Sequence, residues 1–287
     1  MSADTAGDDR DVARAGNTYL GDVWVNFKRW NLKAVRNPFV LVGSLVQPII
    51  FLVLFTQVFG NVAGRALPPG LNYETYLVPA IAIQVSLAAA ATSGIGLVND
   101  IENGMFEKVL ATPLRRSAVF TGKVSAELVR VLVQVAIILG LGVVLGASVE
   151  TGVVGALGIL AVAVLFSLWF LSLSNALALV TRDQESTIIG ANLLQFPLLF
   201  VSTAFLPLES LPGWIQTIAT YNPITYGVDA ARSIMLGRDV MTVVDVTGFG
   251  GVWNALVPAF AVLAALDLAF GAVAVYLISR STSADVQ

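Results

Sequence analysis

Asp267 is the one charged residue inside the six most apolar stretches of this chain. A carboxylate in hydrocarbon costs about 2.5–3.5 kcal/mol on insertion scales, so Asp267 must face other helices, be protonated, or have hydrogen-bonding partners. Gln84, Asn175, Asn192 and Gln195 are its candidate partners. The chemistry open to it is a structural hydrogen bond or contact with a cation, a proton or a substrate. Lys123, Glu127, Arg130 and Gln134 recur at i, i+4, i+7 and i+11 and form a polar stripe on one helix. Two readings fit the stripe: Glu127 pairs with both cations, aided by snorkelling, or the stripe lines an aqueous substrate entrance. Gln47, Gln57 and Gln84 are weaker pathway candidates, such residues being more often plain interhelical glue.

Zero His and zero Cys remove imidazole and thiolate metal sites, Ser-His and Cys-His nucleophiles and a His proton shuttle. A phosphate-cradling loop needs G-x-x-x-x-G-K-[ST]. The only Gly-Lys pair is Gly122-Lys123, with Ser117 where the first Gly belongs and Val124 where the hydroxyl belongs. The expectation is a chain with no nucleotide, metal or cofactor site of its own, so that any ATP driving it is bound by a separate subunit.

These residues must be positioned by membrane helices. The 287 residues are 12% charged and 56% hydrophobic, whereas soluble domains carry about 25% charge. A net charge of -3 offers no broad basic surface for nucleic acid. Six stretches, 39–60, 76–98, 131–147, 153–180, 188–207 and 252–278, are each near the ~20 apolar residues that a helix needs to cross a bilayer. Runs apolar on every side, such as Ile50 to Phe55 and Val162 to Phe166, exclude the alternation of a β-barrel. The predicted fold is an all-α integral membrane protein of six transmembrane helices. Residues 1–18 are read as a flexible cytoplasmic N-terminus, 19–37 as an interfacial amphipathic helix, 38–280 as a single six-span membrane domain with an inner loop at 99–116 and an outer segment at 208–251, and 281–287 as a cytoplasmic tail.

Lys and Arg set the orientation. With the N-terminus inside, the inner side holds 11 of them near the membrane and the outer side three, Arg65, Arg232 and Arg238, which is a positive-inside bias. Both termini are then cytoplasmic. Four Lys against 12 Arg with many Ala and Val fits a high-GC organism, and the membrane is taken as the plasma membrane of a prokaryote.

Residues 20–36 place Leu20, Val23, Trp24, Phe27 and Trp30 on one face and Asp22, Arg29, Lys33 and Arg36 on the other, which predicts a helix lying on the inner leaflet until Asn37-Pro38 ends it. In the inner segment 99–116, Ile101, Met105, Phe106, Val109 and Leu110 share a helical face between Gly104 and Pro113. This predicts a helix of two to three turns whose apolar face either packs on the membrane-side ends of the spans or docks in a groove of a soluble partner. Gly142 and Gly146 form a G-x-x-x-G, sufficiently explained by close helix packing. The outer segment 208–251 predicts two half-length helices, re-entrant or interfacial. The first is opened by Ser210-Leu211-Pro212 and carries Trp214, Ile215, Ile218 and Tyr221. The second is opened by Asn222-Pro223, carries Ile224, Val228, Ala231 and Met235, and ends at Gly237. Trp214, Tyr221 and Tyr226 suit headgroup depth.

Two of these segments also carry a family likeness. Asp100-Ile-Glu102-Asn-Gly104, then Leu110-Ala-Thr112-Pro113-Leu-Arg115 and Gly122-Lys123, resembles the cytoplasmic coupling loop of type-2 ABC transporter permeases. Phe205-Leu-Pro207-Leu-Glu209, Leu211-Pro212-Gly-Trp214, Asn222-Pro223-Ile-Thr225-Tyr226 and Asp229-Ala-Ala-Arg232 resemble that family's outer segment. Within it the chain looks most like the daunorubicin-resistance drug-exporter permeases. Met105 departs from the small hydroxyl residue that many relatives carry after the Gly.

The resemblance implies a homodimer on two cytoplasmic ATPase subunits that bind ATP and Mg. It implies that Asp100, Glu102, Gly104, Met105, Phe106, Val109, Leu110, Thr112 and Pro113 form the ATPase-coupling region. Gln47, Gln84, Gln134, Asn192, Gln195 and Asp267 become candidates for the translocation path, and Pro207, Pro212, Trp214, Asn222, Pro223, Tyr226, Asp229 and Arg232 mark a re-entrant layer above it. The expected partners are the ATPase, a second copy, the lipid bilayer and a hydrophobic or amphipathic substrate moved outward, a drug, lipid or glycoconjugate, with a cation as a further option. Two other classes are the alternatives: an ATP-independent secondary transporter using Asp267, and a membrane-embedded lipid-modifying enzyme, for which His, Cys and clustered carboxylates are lacking.

Overall fold

The computed structural model describes residues 18–63, 67, 71–110, 112 and 114–281. The expected N-terminal arm at 1–17 and the last six residues lie outside them. Ten α-helices order the described residues: α1 (Tyr19–Arg36), α2 (Pro38–Ala63), α3 (Tyr73–Glu102), α4 (Met105–Leu110), α5 (Arg116–Val144), α6 (Gly152–Thr181), α7 (Gln184–Phe200), α8 (Gly213–Tyr221), α9 (Pro223–Leu236) and α10 (Trp253–Ser281). No strand occurs among them.

Five helices, α2, α3, α5, α6 and α10, are long and apolar enough to cross a membrane. α3 is the axis of the bundle and packs against α2, α5, α6, α7 and α9. Its Ala- and Gly-rich C-terminal half allows close approach. A Cβ added at Gly94 would run into the Ser174 carbonyl of α6, and Gly142 of α5 abuts Val78 of α3 in the same way. Gly146 does something different. It has φ 105° and open space beside it, so it ends α5, and the G-x-x-x-G is one packing glycine followed by one terminating glycine.

The apolar run 188–207 is not one helix, which corrects the fifth predicted span. α7 has 17 residues, about 25 Å at 1.5 Å per residue, and the chain leaves helical geometry at Val201. Residues 201–206 run irregularly, and the carbonyls of Val201, Thr203, Ala204 and Phe205 are taken by side chains from neighbouring elements, as unwound backbone inside an apolar bundle requires. Asn222 Nδ2 donates to Leu198 O and Val201 O, both at 2.6 Å. Tyr73 donates to Phe205 O at 3.1 Å, and Arg232 Nη2 to Ala204 O at 2.7 Å.

The two short helices that follow this break form where the turn residues place them. Pro212 precedes α8, and Asn222 caps α9 through Ile224 N at 3.0 Å with Pro223 in the first turn. Gly237 closes α9 at φ 63°. They differ in depth. α8 exposes Trp214, Ile218 and Tyr221, whereas every residue of α9 after Pro223 is buried among α3, α6 and α10. Tyr226 is therefore no headgroup aromatic; it is buried and its hydroxyl donates to Thr220 O.

Candidate functional site

The end of the bundle that carries α4 is built around Asp100, near the end of α3. Its carboxylate receives Arg29 Nη1 on Oδ2 and Lys33 Nζ on Oδ1, each at 2.9 Å. Both cations come from α1, so the polar face of that helix docks on the rest of the bundle. The apolar face divides as well: Leu20 and Trp24 are exposed while Trp30 is buried, with Lys33, Lys123 and Arg29 lying 4.8 to 5.0 Å from its ring. Asp22, expected on the polar face, is also buried and accepts Arg115 N at 3.3 Å, just before α5. The cause is Gly122. A Cβ there would lie 2.6 Å from Val23 O and 2.7 Å from Asn26 Cβ, so α1 and α5 meet nearly backbone to backbone.

α4 follows directly. Gly104 at φ 65° turns the chain after α3, and the helix is six residues long, shorter than the two to three turns predicted, because thirteen residues separate α3 from α5. Phe106 packs on Leu97, Val98 and Leu179, and Val109 joins it against Phe120 in a narrow cleft. Met105, Glu107 and Lys108 face outward, and Met105 is 42% exposed. Thr112 Oγ1 donates to Val109 O. The Leu110 side chain and Pro113 lie outside the described residues. Glu102 and Asn99 both accept from Gln184 Nε2, which ties the end of α3 to the start of α7. Asp183 caps α7, and the Ser186 N–H donating to it at 2.8 Å holds its carboxyl below the usual carboxylate range.

One turn further in, Lys123 is 3% exposed and does not snorkel. Its ammonium donates to Ser93 O, Ser93 Oγ and Asn175 Oδ1 at 2.6 to 3.0 Å, joining α3, α5 and α6. Glu127 pairs with Arg130 at 2.7 Å and lies 3.8 Å from Lys123, as the intrahelical reading of the stripe expects. The same Glu127 and Arg130 also line a cavity of about 300 Å3 between α1, α3 and α5 with Trp30, Lys33 and Thr92. Ser93 was invisible to sequence reading, since a serine in an Ala/Gly-rich helix carries no special signal.

The path candidates separate into two groups. Gln84, Gln134 and Gln195 are buried within the chain, Gln134 donating to Ser44, while Gln47 and Asn192 lie exposed on apolar faces of α2 and α7. Asp267 is half-buried on α10 against Trp169 of α6, and its Oδ1 has no hydrogen bond. Asn175, proposed for it, is committed to Lys123, and no hydrogen bond joins Asp267 to Gln84, Asn192 or Gln195.

At the opposite end, Arg232 is the hub. It is 2% exposed. Nε donates to Tyr76 O at 3.0 Å, Nη2 to Ala204 O, and its guanidinium carbon stands 3.6 Å from the Tyr76 ring centroid. Asp229 Oδ1 lies 3.6 Å from Nη1 and accepts the Thr203 hydroxyl, while Oδ2 accepts Thr242 N–H and O–H. Pro207 and Pro212 flank the short turn Leu208–Ser210 before α8. Counting Arg232 as an outer-loop charge missed its burial.

Both ends of this arrangement fall inside one match: the ABC-2 type transporter family covers residues 21–236. The chain belongs to that family. Among its relatives is the "Probable doxorubicin resistance ABC transporter permease protein DrrC" of Mycobacterium tuberculosis, 28% identical over 79% of this chain and 82% of the relative. The "Daunorubicin resistance ABC transporter permease protein DrrB1" of Streptomyces coeruleorubidus is 28% identical over 70% of each. "Nodulation protein J" of Rhizobium leguminosarum bv. trifolii is 28% identical over 78% of this chain and 83% of the relative. This ABC-2 chain is thus a multi-pass membrane permease similar to drug-resistance permeases, of a family that transports rather than catalyses.

Proposed function

We propose that this ABC-2 permease is the transmembrane subunit of an ATP-driven exporter, dimerising with a second copy and resting on two cytoplasmic ATPase subunits that bind ATP and Mg. The observation that carries this is α4. Its Phe106 and Val109 side is anchored on the bundle while Met105, Glu107 and Lys108 project away, a short outward ridge fixed to the end of α3. A push on that ridge passes to α3 and, through Asp100, to α1, a rigid-body form of coupling.

Each copy has six spans in this reading, α7 with residues 201–206 completing the fifth, and both termini lie in the cytoplasm of a prokaryotic cell. Gln47 and Gln57 stand exposed on α2 and Asn192 on α7, amide groups that hydrocarbon disfavours. A second copy covering these faces removes that cost and puts the amides on a shared path. The substrate is hydrophobic or amphipathic, a drug, lipid or glycoconjugate, and the cavity beside Glu127 and Arg130 is its inner entrance. Gln84, Gln134 and Gln195 take part only if the spans separate.

Affinity purification of the tagged chain from native membranes tests the reading. An ATPase subunit recovered in equal amount with wild type and lost with Met105→Asp supports it. A homo-oligomer free of ATPase sinks it and leaves Asp267, whose Oδ1 has no hydrogen bond, as the site of an ion-driven transporter.

A further inference from the structure

We propose that the cavity at the end of the bundle opposite α4 binds the headgroup of an amphiphile carrying both a phosphate and an amine. The cavity, about 590 Å3, lies between the start of α3, the end of α9 and the turn before α8. Arg232, Arg238, Glu209, Tyr76, Leu236 and Met241 line it.

One guanidinium edge is unfilled. Arg232 commits Nε and Nη2 to carbonyls, but its buried Nη1 has no hydrogen bond, only Asp229 Oδ1 at 3.6 Å. Asp229 comes no closer because Thr203 and Thr242 already hold its carboxylate. Buried donors in folded proteins are normally satisfied, so this edge calls for an acceptor from outside the chain. Arg238, exposed just after the Gly237 turn, supplies a second guanidinium to the same cavity, and paired guanidiniums match phosphate oxygens. The wall is not purely cationic. Glu209 is exposed at the rim, and with Asp229 beneath Arg232 the four charges balance, which disfavours a simple anion and suits a headgroup with an amine beside its phosphate. Leu236 and Met241 give the apolar part of the ligand a surface that free phosphate would not use.

The site does not rest on the transport reading, because its test is binding by the full chain alone. Delipidated protein is titrated, by native mass spectrometry, with phosphatidylethanolamine, phosphatidylglycerol, diacylglycerol and inorganic phosphate. Phosphatidylethanolamine is expected to bind best, and Arg238→Gln, at an exposed position, to weaken it about tenfold, the loss of one charge-assisted hydrogen bond. Glu209→Gln is expected to reverse the preference toward phosphatidylglycerol. Wild-type affinity in Arg238→Gln, or equal binding of diacylglycerol, overturns the proposal. Displacement of lipid by inorganic phosphate at millimolar concentration keeps the phosphate contact but overturns the amphiphile, and an unmoved preference in Glu209→Gln overturns the amine.

Discussion

Arg232 grips Tyr76 twice, with Nε donating to the tyrosine's own carbonyl at 3.0 Å and the guanidinium carbon 3.6 Å from its ring centroid. One side chain from α9 thus locks the first turn of α3 and, through Ala204 O, the unwound stretch after α7. Arg232→Gln is expected to lower stability by about 3–5 kcal/mol, because Asp229 then lies buried without its cation. Tyr76→Phe removes only a 3.4 Å hydrogen bond to Thr203 O and should cost about 1 kcal/mol or less. Thermal unfolding in detergent checks both. Equal losses would show that the hydroxyl, not the stacked ring and carbonyl, holds the unit.

Gly122→Leu should displace α1. The added side chain meets Val23 O and Asn26 Cβ, an overpacking that costs about 1–3 kcal/mol. Gly140→Ala on the same helix has open space and should be neutral or slightly stabilising. The readout is protease cleavage within α1, faster in the first variant alone; unchanged cleavage in Gly122→Leu would remove the close contact.

Asp100→Asn leaves Arg29 and Lys33 without their carboxylate. Both cations are partly solvated, so the expected loss is about 1 kcal/mol, shrinking as salt screens the wild-type pair. Melting curves at low and high salt measure it, and a gap indifferent to salt would exclude an electrostatic tether.

Asp183 adds a pH dependence at the start of α7. Its folded-state carboxyl titrates below the ordinary value because Ser186 N–H donates to the ionised form. The cap therefore contributes fully above the unfolded value, about 3.9, and is lost as pH falls through the folded one. Asp183→Ala should melt lower than wild type at pH 7 with the gap closing toward pH 3, whereas Asp183→Asn should keep most of the cap. A gap constant over that range would count against the assignment.

Asp267→Asn should preserve assembly and impair transport. Its Oδ1 has no hydrogen bond, and Asn keeps an acceptor for the Trp169 backbone, so the charge or proton is the property tested. Substrate efflux from cells with matched membrane levels of each protein decides, and wild-type efflux would remove Asp267 from the path.

Hydrocarbon forbids ionised side chains and needs a fixed number of apolar residues, so α2, α3, α6 and α10 were legible within a few residues from charge spacing alone, whereas α5 showed only its apolar second half because Lys123, Glu127 and Arg130 interrupt the first. Asn222-Pro223 and Gly237 announced α9 because caps and turns are local chemistry. The coupling and outer motifs were legible as a family likeness, which the match over residues 21–236 bears out at the level of family. What the sequence could not decide is which surfaces meet. Periodicity sorts a helix into faces but not into neighbours, so Asp22 read as solvated until Gly122 let α5 approach, and Arg232 read as a loop cation until Tyr76 and Ala204 enclosed it. The apolar run 188–207 looked continuous for the same reason. Its break at Val201 is stable only because Tyr73, Asn222 and Arg232, up to 132 residues away, arrive to satisfy the freed carbonyls, and such long-range pairing exists only once the chain is folded.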